Sequence, residues 1–223
     1  MKVCTDACLF GAFFSEKIPA GSRVLDIGSG TGLLMLMLAQ KHNGTIAGIE
    51  LAPSSFRQSQ QNIARSKWAE RLEVFSGDAR DLAFPYKYDL IISNPPFFEG
   101  DLPAASHLQN LAKHSQELTL SALLETIDAN LEGSGSFGVL LPYHRTSYFE
   151  ELASARHFYL REKLLVRQTP GHDYFRSILH FSRDNTGADQ HPVGGLHELT
   201  IKGSDGSYSR EFIELLKDYY LYL

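Results

Sequence analysis

Three glycines at alternate positions follow a short apolar run near the start of the chain. The run 24–27 leads into Gly28, Gly30 and Gly32, and Asp26 lies two residues before the first of them. Glycine has no Cβ, so the backbone can turn sharply at these positions and approach a ligand closely. A strand-to-helix turn explains one or two glycines, whereas three at this spacing with a preceding acid indicate a ligand-binding loop.

The spacing of the glycines discriminates between classes of nucleotide. A dinucleotide fingerprint requires G-x-G-x-x-G, but the position three after Gly30 is Leu33. The G-K-[ST] sequence of a nucleoside triphosphate loop does not occur in the chain. The loop therefore disfavours NAD and FAD, and it is not a triphosphate loop.

Two further acids follow the next two predicted strands. Glu50 closes the second strand, where a carboxylate can accept hydrogen bonds from both hydroxyls of a ribose. Asp78 follows the third strand, where its carboxylate could receive an adenine amino group while the Ala79 amide meets a ring nitrogen. A helix-capping acid at Glu50 and a turn at Asp78 are the structural alternatives. Their combination with the glycine loop favours the binding roles.

Together these features resemble the S-adenosylmethionine site of the class I methyltransferases. The shared pattern is D-x-G-x-G-x-G, with one acid closing strand two and another after strand three. The resemblance implies that Gly28, Gly30 and Gly32 shape the floor of the pocket. It also implies that Asp26 holds its loop and the amino acid end of S-adenosylmethionine.

The sequence Asn94-Pro95-Pro96-Phe97 follows the apolar run 88–93. Two prolines cannot lie in a central strand, so they end this one at its carboxyl end, where such sheets bind ligands. A rigid turn would explain the prolines alone. The exocyclic amine of a base, however, is a poor nucleophile because its lone pair is delocalised. Asn94 Oδ1 and the Pro95 carbonyl can accept its two N–H bonds and favour a pyramidal nitrogen, and Phe97 can stack on the flat substrate.

The predicted catalytic set is therefore Asn94, Pro95, Pro96 and Phe97. The motif is shared by amino methyltransferases that act on adenine N6, cytosine N4, guanine N2 and the glutamine side-chain amide. Catalysis would combine positioning with electrostatics, with a positively charged sulfonium as the electrophile. This scheme requires no strong general base, because the methylated amine can lose its proton to water, and it requires no metal.

Short apolar runs alternate with helical patterns from residue 23 onward. Strands are predicted at 24–27, 45–49, 72–75, 88–93, 137–141, 163–166 and 177–181, and residues 196–201 also alternate as a strand does. Helices are predicted at 31–42, 54–67, 115–131 and 147–158, with a closing helical pattern over 212–223. The alternation predicts an α/β fold with a mainly parallel, doubly wound sheet. The methyltransferase resemblance implies a Rossmann-like sheet of seven strands with helices on both faces.

Composition limits the class of protein. A chain of 223 residues with 43% hydrophobic and 21% charged residues suits one packed domain and excludes disorder, collagen and coiled coil. The apolar stretch 33–39 is far shorter than the roughly 20 residues that span a bilayer. Cys4 and Cys8 form neither a disulfide framework nor a metal motif, so we expect small buried residues in a reducing cytoplasm. The net charge of −5 argues at first sight against a nucleic-acid partner.

Nearly the whole chain resembles the bacterial tRNA adenine-N6 methyltransferases that modify the base beside the anticodon of a valine tRNA. The similarity lies in residues 1–6, 9–12, 66–71, 92–96 and 208–221. It implies N6-methylation of adenine 37 and places Thr5 near the methionine end of the cofactor; capping the helix that begins near Ala7 is the alternative role of Thr5 and Asp6. The predicted cofactor-binding set is Thr5, Asp26, Gly28, Gly30, Gly32, Glu50, Leu51, Asp78, Ala79 and Asn94.

Residues 140–183 contain the predicted RNA contacts. Seven basic residues outnumber four acids there, namely Arg145, Arg156, Arg161, Lys163, Arg167, Arg176 and Arg183. The same stretch holds aromatic and imidazole groups suited to stacking on unpaired bases, namely Tyr143, His144, Tyr148, His172, Tyr174 and Phe175. Solvated helix faces are the alternative explanation for the charges. An anticodon-loop base is already unpaired, so drawing it into a pocket should cost less than flipping it from a duplex.

Three other functions stay open at this point: an rRNA guanine-N2 methyltransferase, a protein glutamine N5-methyltransferase, and a catalytically silent protein that binds S-adenosylmethionine or RNA. Intact Asn94 and Pro95 disfavour the silent protein. We predict one domain over 1–223, with a cofactor-lid segment at 1–22, a cofactor-binding core at 23–142 and a substrate side at 143–223. The expected partner is the anticodon loop of a tRNA, with no membrane and no metal, for a cytoplasmic protein assumed to be a monomer.

Overall fold

The computed structural model describes residues 4–96, 118–183 and 195–223. Its helices are α1 (Thr5–Ser15), α2 (Leu33–Lys41), α3 (Pro53–Ala64), α4 (Leu120–Asn130), α5 (Thr146–Ser154) and α6 (Arg210–Leu216). Its strands are β1 (Val24–Ile27), β2 (Ile46–Glu50), β3 (Leu72–Ser76), β4 (Tyr88–Ser93), β5 (Leu131–Pro142), β6 (Tyr159–Arg167), β7 (Tyr174–Ser182) and β8 (Gly195–Thr200). Short 3-10 helices cover Ala69–Arg71 and Tyr143–Arg145.

The strands form one sheet in the order β3-β2-β1-β4-β5-β7-β6-β8. The first five strands in this order are parallel, β7 is antiparallel to both β5 and β6, and β8 is parallel to β6. Strands β1 to β6 and β8 therefore end on the same edge of the sheet, where β7 begins. We call this edge the site edge.

The expected count of seven strands is wrong by one. The additional strand is β8, which pairs with β6 from Glu162 opposite Gly195 to Arg167 opposite Thr200. Without β8 the polar backbone groups on the outer side of β6 would form an exposed edge, which pairing with a further strand satisfies. The mainly parallel α/β architecture is confirmed.

The sheet is covered on both faces. Alternate residues of β1 enter opposite hydrophobic clusters: Val24 packs in the cluster that includes α1, α2 and α6, while Leu25 packs with α4. The same alternation holds in β4, where Ile92 and Ile91 belong to different clusters. Successive side chains of a strand point to opposite faces, so a strand buried on both faces becomes continuously apolar.

Two expectations about the ends of the chain need adjustment. The closing helix ends at Leu216 and does not continue to Leu223, but its apolar face is core as expected, since Phe212 and Leu216 are fully buried. Cys8 is buried, whereas Cys4 is exposed, so the expectation of two buried cysteines is wrong for Cys4. Cys4 precedes the first turn of α1 and therefore lies outside the face that this helix buries.

A carboxylate on β6 anchors the end of α1. Lys17 Nζ lies 2.7 Å from Glu162 Oε2, and His180 Nδ1 and His197 Nε2 lie 3.6 and 3.8 Å from the same carboxylate. The His180 contact, followed by Lys17, lowers the pKa of Glu162 to about 2. This ion pair joins a helix near the N-terminus to a strand in the second half of the chain.

We expect Glu162→Gln to lower the free energy of unfolding at pH 7 by about 1–2 kcal/mol, because Lys17 loses its charged partner. A depressed pKa stabilises the fold above the ordinary carboxyl pKa, and this contribution disappears as the pH falls through about 2. Urea unfolding should therefore show the difference from the unsubstituted chain narrowing between about pH 4.5 and pH 2. Glu16→Gln, which changes an exposed acid next to Lys17, is the matched control. An equal loss in both variants would contradict the assignment.

Candidate functional site

The glycine loop between β1 and α2 has a left-handed backbone. The φ angles are +75° at Gly28, +58° at Gly30 and +81° at Gly32, a region that strongly favours glycine. A Cβ added to Gly28 would meet no described atom within 4 Å, so open space lies in front of the loop. The loop is held to β2 because the Gly28 and Ser29 amides donate to the Ile49 carbonyl at 2.9 and 3.0 Å. This geometry fits a loop that lies against a ligand.

Glu50 connects three segments at the end of β2. Its Oε2 accepts a hydrogen bond from the Gly30 amide at 2.8 Å, and its Oε1 accepts one from the Ala52 amide at 2.7 Å. Its own carbonyl accepts from the Gly77 amide at 3.1 Å, which fixes the loop after β3. Each carboxylate oxygen has two lone pairs, so both oxygens of Glu50 retain capacity to accept the hydroxyls of a ribose.

Asp26 is a buried acid in β1, two residues before the glycine loop. Its side chain is fully buried, and neither carboxylate oxygen has a hydrogen-bond partner among the described residues. Burial, followed by the charge of Glu50, raises the pKa of Asp26 to about 8. A buried carboxylate of this kind is stabilised by a cationic ligand group, because an opposite charge favours the ionised form. The ammonium group of an amino acid fits this requirement.

Asp78 is oriented by Arg80, a residue that sequence reasoning missed. Asp78 Oδ1 accepts from both the backbone amide and Nε of Arg80 at 2.9 Å, and Oδ2 accepts from Nη2 at 2.5 Å. The Arg80 hydrogen bonds lower the pKa of Asp78. Oδ2 keeps one lone pair for an adenine amino group, whereas Oδ1 has none left. Nearby, Ala79 is buried, while Leu51 is 56% exposed.

The Asn-Pro-Pro motif lies beside the glycine loop. Ser93 pairs in register with Ile27, and its Oγ donates to the Ile27 carbonyl at 2.9 Å. The next residues, Asn94 and Gly28, therefore leave neighbouring strands at the same edge. Asn94 Oδ1 is buried and accepts no hydrogen bond from any described residue. Pro95 is buried, Pro96 is exposed, and Phe97 lies outside the described residues.

The start of α1 also lies at the site edge. Asp6 Oδ2 accepts from Arg176 Nε at 2.8 Å, and Arg176 is paired with Pro142, the last residue of β5. Helix α1 begins at Thr5 and not at Ala7, so Thr5 is not its cap; the Thr5 side chain is hydrogen-bonded to Tyr220. Asp6 Oδ1 accepts from the Ala7 amide at 2.9 Å.

Helix α3 supports the glycine loop through two further residues that sequence reasoning missed. Asn62 Nδ2 donates to the Thr31 carbonyl at 2.9 Å, and a Cβ on Gly32 would lie 3.4 Å from Ser59 Cβ. Ser59 and Asn62 are three positions apart, so they share one face of the helix. That spacing was readable in the sequence, but polar residues at helical spacing also occur on solvated faces.

The sequence of the chain is similar to those of known methyltransferases. The family model named Methyltransferase small domain matches residues 8–122. A curated tRNA1(Val) (adenine(37)-N6)-methyltransferase from Photorhabdus laumondii is 35% identical over 226 residues, which is 100% of this chain and 89% of that protein. A relative of the same name from Dyadobacter fermentans is 35% identical over 99% of this chain and 91% of its own length. The chain belongs to this methyltransferase family.

Comparison with solved structures identifies the fold of the chain. The structure of a predicted O-methyltransferase from Agrobacterium tumefaciens superposes with a TM-score of 0.70 over 95% of both chains, at 16% identity. This likeness shows the fold alone, and it confirms the Rossmann-like class I methyltransferase architecture.

The part of the chain that the structure describes has neither a membrane-spanning helix nor a metal-binding cluster. No helix in 4–96, 118–183 or 195–223 combines the length and hydropathy required to cross a membrane. Across the same ranges, no three histidine, cysteine or acidic side chains lie close enough together to hold a metal ion. The site described above is therefore built from a glycine loop, three acids and an amide at one edge of the sheet.

Proposed function

We propose that this protein transfers a methyl group from S-adenosylmethionine to N6 of an adenine in tRNA, namely adenine 37 beside the anticodon of a valine tRNA. The observation that carries the proposal is the position of Asn94, which follows β4 directly beside the glycine loop. Its Oδ1 is buried and has no hydrogen-bond partner in the part of the chain that the structure describes. The relatives that match the full chain are named as tRNA adenine-N6 methyltransferases, which favours an adenine amino group in tRNA as the donor to this amide oxygen.

The pocket residues fit S-adenosylmethionine. When bound, this cofactor supplies an electrophilic methyl group on a positively charged sulfonium. Asp26 has an uncompensated buried carboxylate for the cationic amino acid end, and Glu50 has free lone pairs for the ribose. Asp78 retains one acceptor site at Oδ2 for the adenine. The remaining proposed contacts come from Thr5, Gly28, Gly30, Gly32, Leu51, Ala79 and Asn94.

The Asn-Pro-Pro-Phe motif supplies the catalytic groups of the proposal. Asn94 Oδ1 and the Pro95 carbonyl accept the two N–H bonds of the target amine and orient its lone pair. Pro96 fixes the backbone direction after these acceptors, and Phe97 stacks on the base. Rate enhancement then comes from positioning and from acceptors that are already in place, without a general base.

The functional division of the chain belongs to the same proposal. We assign 1–22 to a cofactor lid, 23–142 to cofactor binding and 143–223 to the substrate side. The partner is the anticodon loop of the tRNA, and the setting is the cytoplasm. The proposal assumes that the chain acts as a monomer.

The test is a labelling experiment. The protein is incubated with methyl-labelled S-adenosylmethionine and, separately, with bulk unmodified tRNA, ribosomal RNA and release factor, and the products are digested and identified. We expect N6-methyladenosine from tRNA alone, and a valine tRNA transcript with guanine at position 37 should accept no label. Label recovered as N2-methylguanosine or methylglutamine would overturn the proposal.

The raised pKa of Asp26 predicts pH-dependent cofactor binding. A carboxyl with a pKa of about 8 is mostly protonated at pH 6, so binding a cationic group must release its proton. We expect the affinity for S-adenosylmethionine to increase about 25-fold between pH 6 and pH 7.5, in proportion to the ionised fraction of Asp26. Calorimetry in two buffers with different ionisation enthalpies measures both the affinity and the released proton.

Asp26→Asn is the control for this pH dependence. It removes the titrating group while preserving the shape of the side chain, so the variant should bind more weakly and show a flat profile over the same range. A wild-type affinity that does not change with pH, or an equal slope in the variant, would contradict the role of Asp26.

A further inference from the structure

Aromatic and cationic side chains line the site edge beyond β5. Tyr143 follows the last residue of β5, and Tyr174 begins β7; their ring centroids lie 5.4 Å apart. Arg167 ends β6, with its guanidinium carbon 5.4 Å from the centroid of Tyr174. Lys202 follows β8 and lies 5.4 Å from the ring of Tyr208. We call these five residues the aromatic rim.

The aromatic rim continues directly from the Asn94 site. Strand β5 is the neighbour of β4, and Ser93 is paired with Val139, so β5 runs on past the end of β4 to Pro142 and then Tyr143. Neighbouring strands lie about 4.8 Å apart, which puts Tyr174, two strands from β4, about 10 Å across the sheet from it. Nucleotides next to a base held at Asn94 would therefore pass over the rim.

The fold divides the predicted basic residues between the two edges of the sheet. Arg161 near the start of β6 and Arg183 after β7 lie at the opposite edge, where they contact Ser182 and Asp128. Arg156 is paired with Glu125 on α4, and Lys163 is paired with Glu150 on α5. Of the seven predicted basic residues, those at the site edge are Arg145, Arg167 and Arg176, and Arg176 is bound to Asp6.

An acid on β8 contacts the rim. Glu198 on β8 lies 3.5 Å from the Arg167 guanidinium and is hydrogen-bonded to Tyr174, whose pKa this contact raises. The Arg167 Nε also donates to Thr200 Oγ1 at 2.8 Å. The Glu198 side chain is about half exposed, so its ion pair is weak and a phosphate can compete for Arg167. These contacts hold Arg167 beside the ring of Tyr174.

We propose that the aromatic rim binds the single-stranded nucleotides that flank the methylated adenine, with bases on Tyr143 and Tyr174 and phosphates at Arg167 and Lys202. This inference rests on the proposed function, which supplies RNA as the partner. Tyr143 is 41% exposed, so part of its side chain can contact a base, and alternating rings and cations match the alternation of bases and phosphates in a single strand. A loop of unpaired bases fits such a surface better than a duplex, whose bases are stacked on one another.

The test measures RNA binding separately from catalysis. A fluorescent, unmodified anticodon stem-loop is titrated with the wild type and with Tyr143→Ala, Tyr174→Ala and Arg167→Gln, and the KM for tRNA is measured in parallel. We expect each alanine variant to bind the stem-loop about tenfold more weakly and to have a KM for tRNA that is about tenfold higher. Their kcat at saturating tRNA and their affinity for S-adenosylmethionine should stay within twofold. Tyr143→Phe and Tyr174→Phe keep the ring and should retain wild-type affinity.

Two matched controls lie at the opposite edge. Tyr86 is 37% exposed and carries Arg23 at 5.1 Å from its ring, so Tyr86→Ala removes the same chemistry away from the site. Arg161→Gln is the counterpart of Arg167→Gln. For Arg167→Gln alone, the negative slope of log affinity against log salt concentration should become shallower by about 0.7, which is the value of one phosphate contact on a single strand.

The possible outcomes test RNA binding by the aromatic rim separately from the proposed function. Equal stem-loop affinities in Tyr143→Ala, Tyr174→Ala and Tyr86→Ala would overturn the proposed RNA binding by the rim, even if the wild type methylates tRNA. If the wild type binds the stem-loop through Tyr143 and Tyr174 but transfers no methyl group to it, RNA binding by the rim is supported and the proposed function is overturned. Binding to release factor and not to the stem-loop would overturn both.

Discussion

Asn94→Ala should reduce kcat for methyl transfer by about 10²–10³-fold while leaving the affinity for S-adenosylmethionine within a few-fold of the wild type. The physical reason is that Asn94 Oδ1 is a buried acceptor at the end of β4, and no described residue satisfies it. Such an atom is stabilised when it accepts a hydrogen bond from the substrate amine, and alanine cannot replace it. Single-turnover transfer to tRNA and calorimetric titration of the cofactor measure the two quantities.

The control for Asn94 is Asn43→Ala. Asn43 accepts a hydrogen bond from the Gly21 amide at 2.9 Å in an exposed loop before β2, away from the site edge. It should leave kcat within about twofold. If Asn94→Ala instead abolishes cofactor binding, then Asn94 has a structural role in the pocket and the assignment to the target amine is wrong.

Gly138→Ala should destabilise the whole domain. A Cβ at this position on β5 would lie 2.1 Å from Cζ and 2.3 Å from Cε2 of Phe14. Phe14 is fully buried and is surrounded by the rings of Phe10, Phe13 and His180, so it has little room to move. We expect the free energy of unfolding to decrease by about 3 kcal/mol, at the upper end of typical overpacking costs, with Tm lower by roughly 6–12 °C.

Gly133→Ala is the matched control on the same strand. No described atom lies within 4 Å of the Cβ that it adds, so the free energy of unfolding should change by less than about 1 kcal/mol. Adding Phe14→Leu to Gly138→Ala should recover part of the loss, because the clash is with the ring. Equal effects of the two glycine substitutions in thermal and urea unfolding would contradict the close approach of α1 to β5.

The net charge of −5 is a weak guide to the partner of this protein. Asp26, Glu50 and Asp78 account for three of the acids, and all three are assigned to the proposed cofactor pocket, where they would face a cationic ligand and its hydroxyl and amino groups. The surface where β6 ends and β7 begins has cations beside aromatic rings. The distribution of charge, and not its sum, is therefore what bears on RNA binding.

The sequence by itself determined the features that depend on local backbone chemistry. Gly28, Gly30 and Gly32 have the left-handed φ angles that their spacing predicted, because only glycine adopts them readily. Pro95 and Pro96 follow the end of β4, since proline cannot continue a central strand. The apolar runs predicted β1 to β4 to within about one residue at each end, because continuous burial requires continuous apolar residues. The predicted strands 137–141, 163–166 and 177–181 are too short, since β5, β6 and β7 extend beyond the apolar runs to Leu131–Pro142, Tyr159–Arg167 and Tyr174–Ser182.

Only the tertiary structure decided which residues share an edge. Strand β7 lies antiparallel between β5 and β6, so Arg167 and Tyr174 meet at the site edge while Arg183 lies at the opposite one. The sequence places these residues in one basic stretch, and no local pattern separates them. Strand direction and order are set by pairing between distant segments, and so is the position of β8. The pKa of Asp26 is raised by burial, which also requires distant segments to pack together. Periodicity and φ preferences belong to neighbouring residues, whereas sheet order, burial and the joining of sites arise only when distant segments pack together.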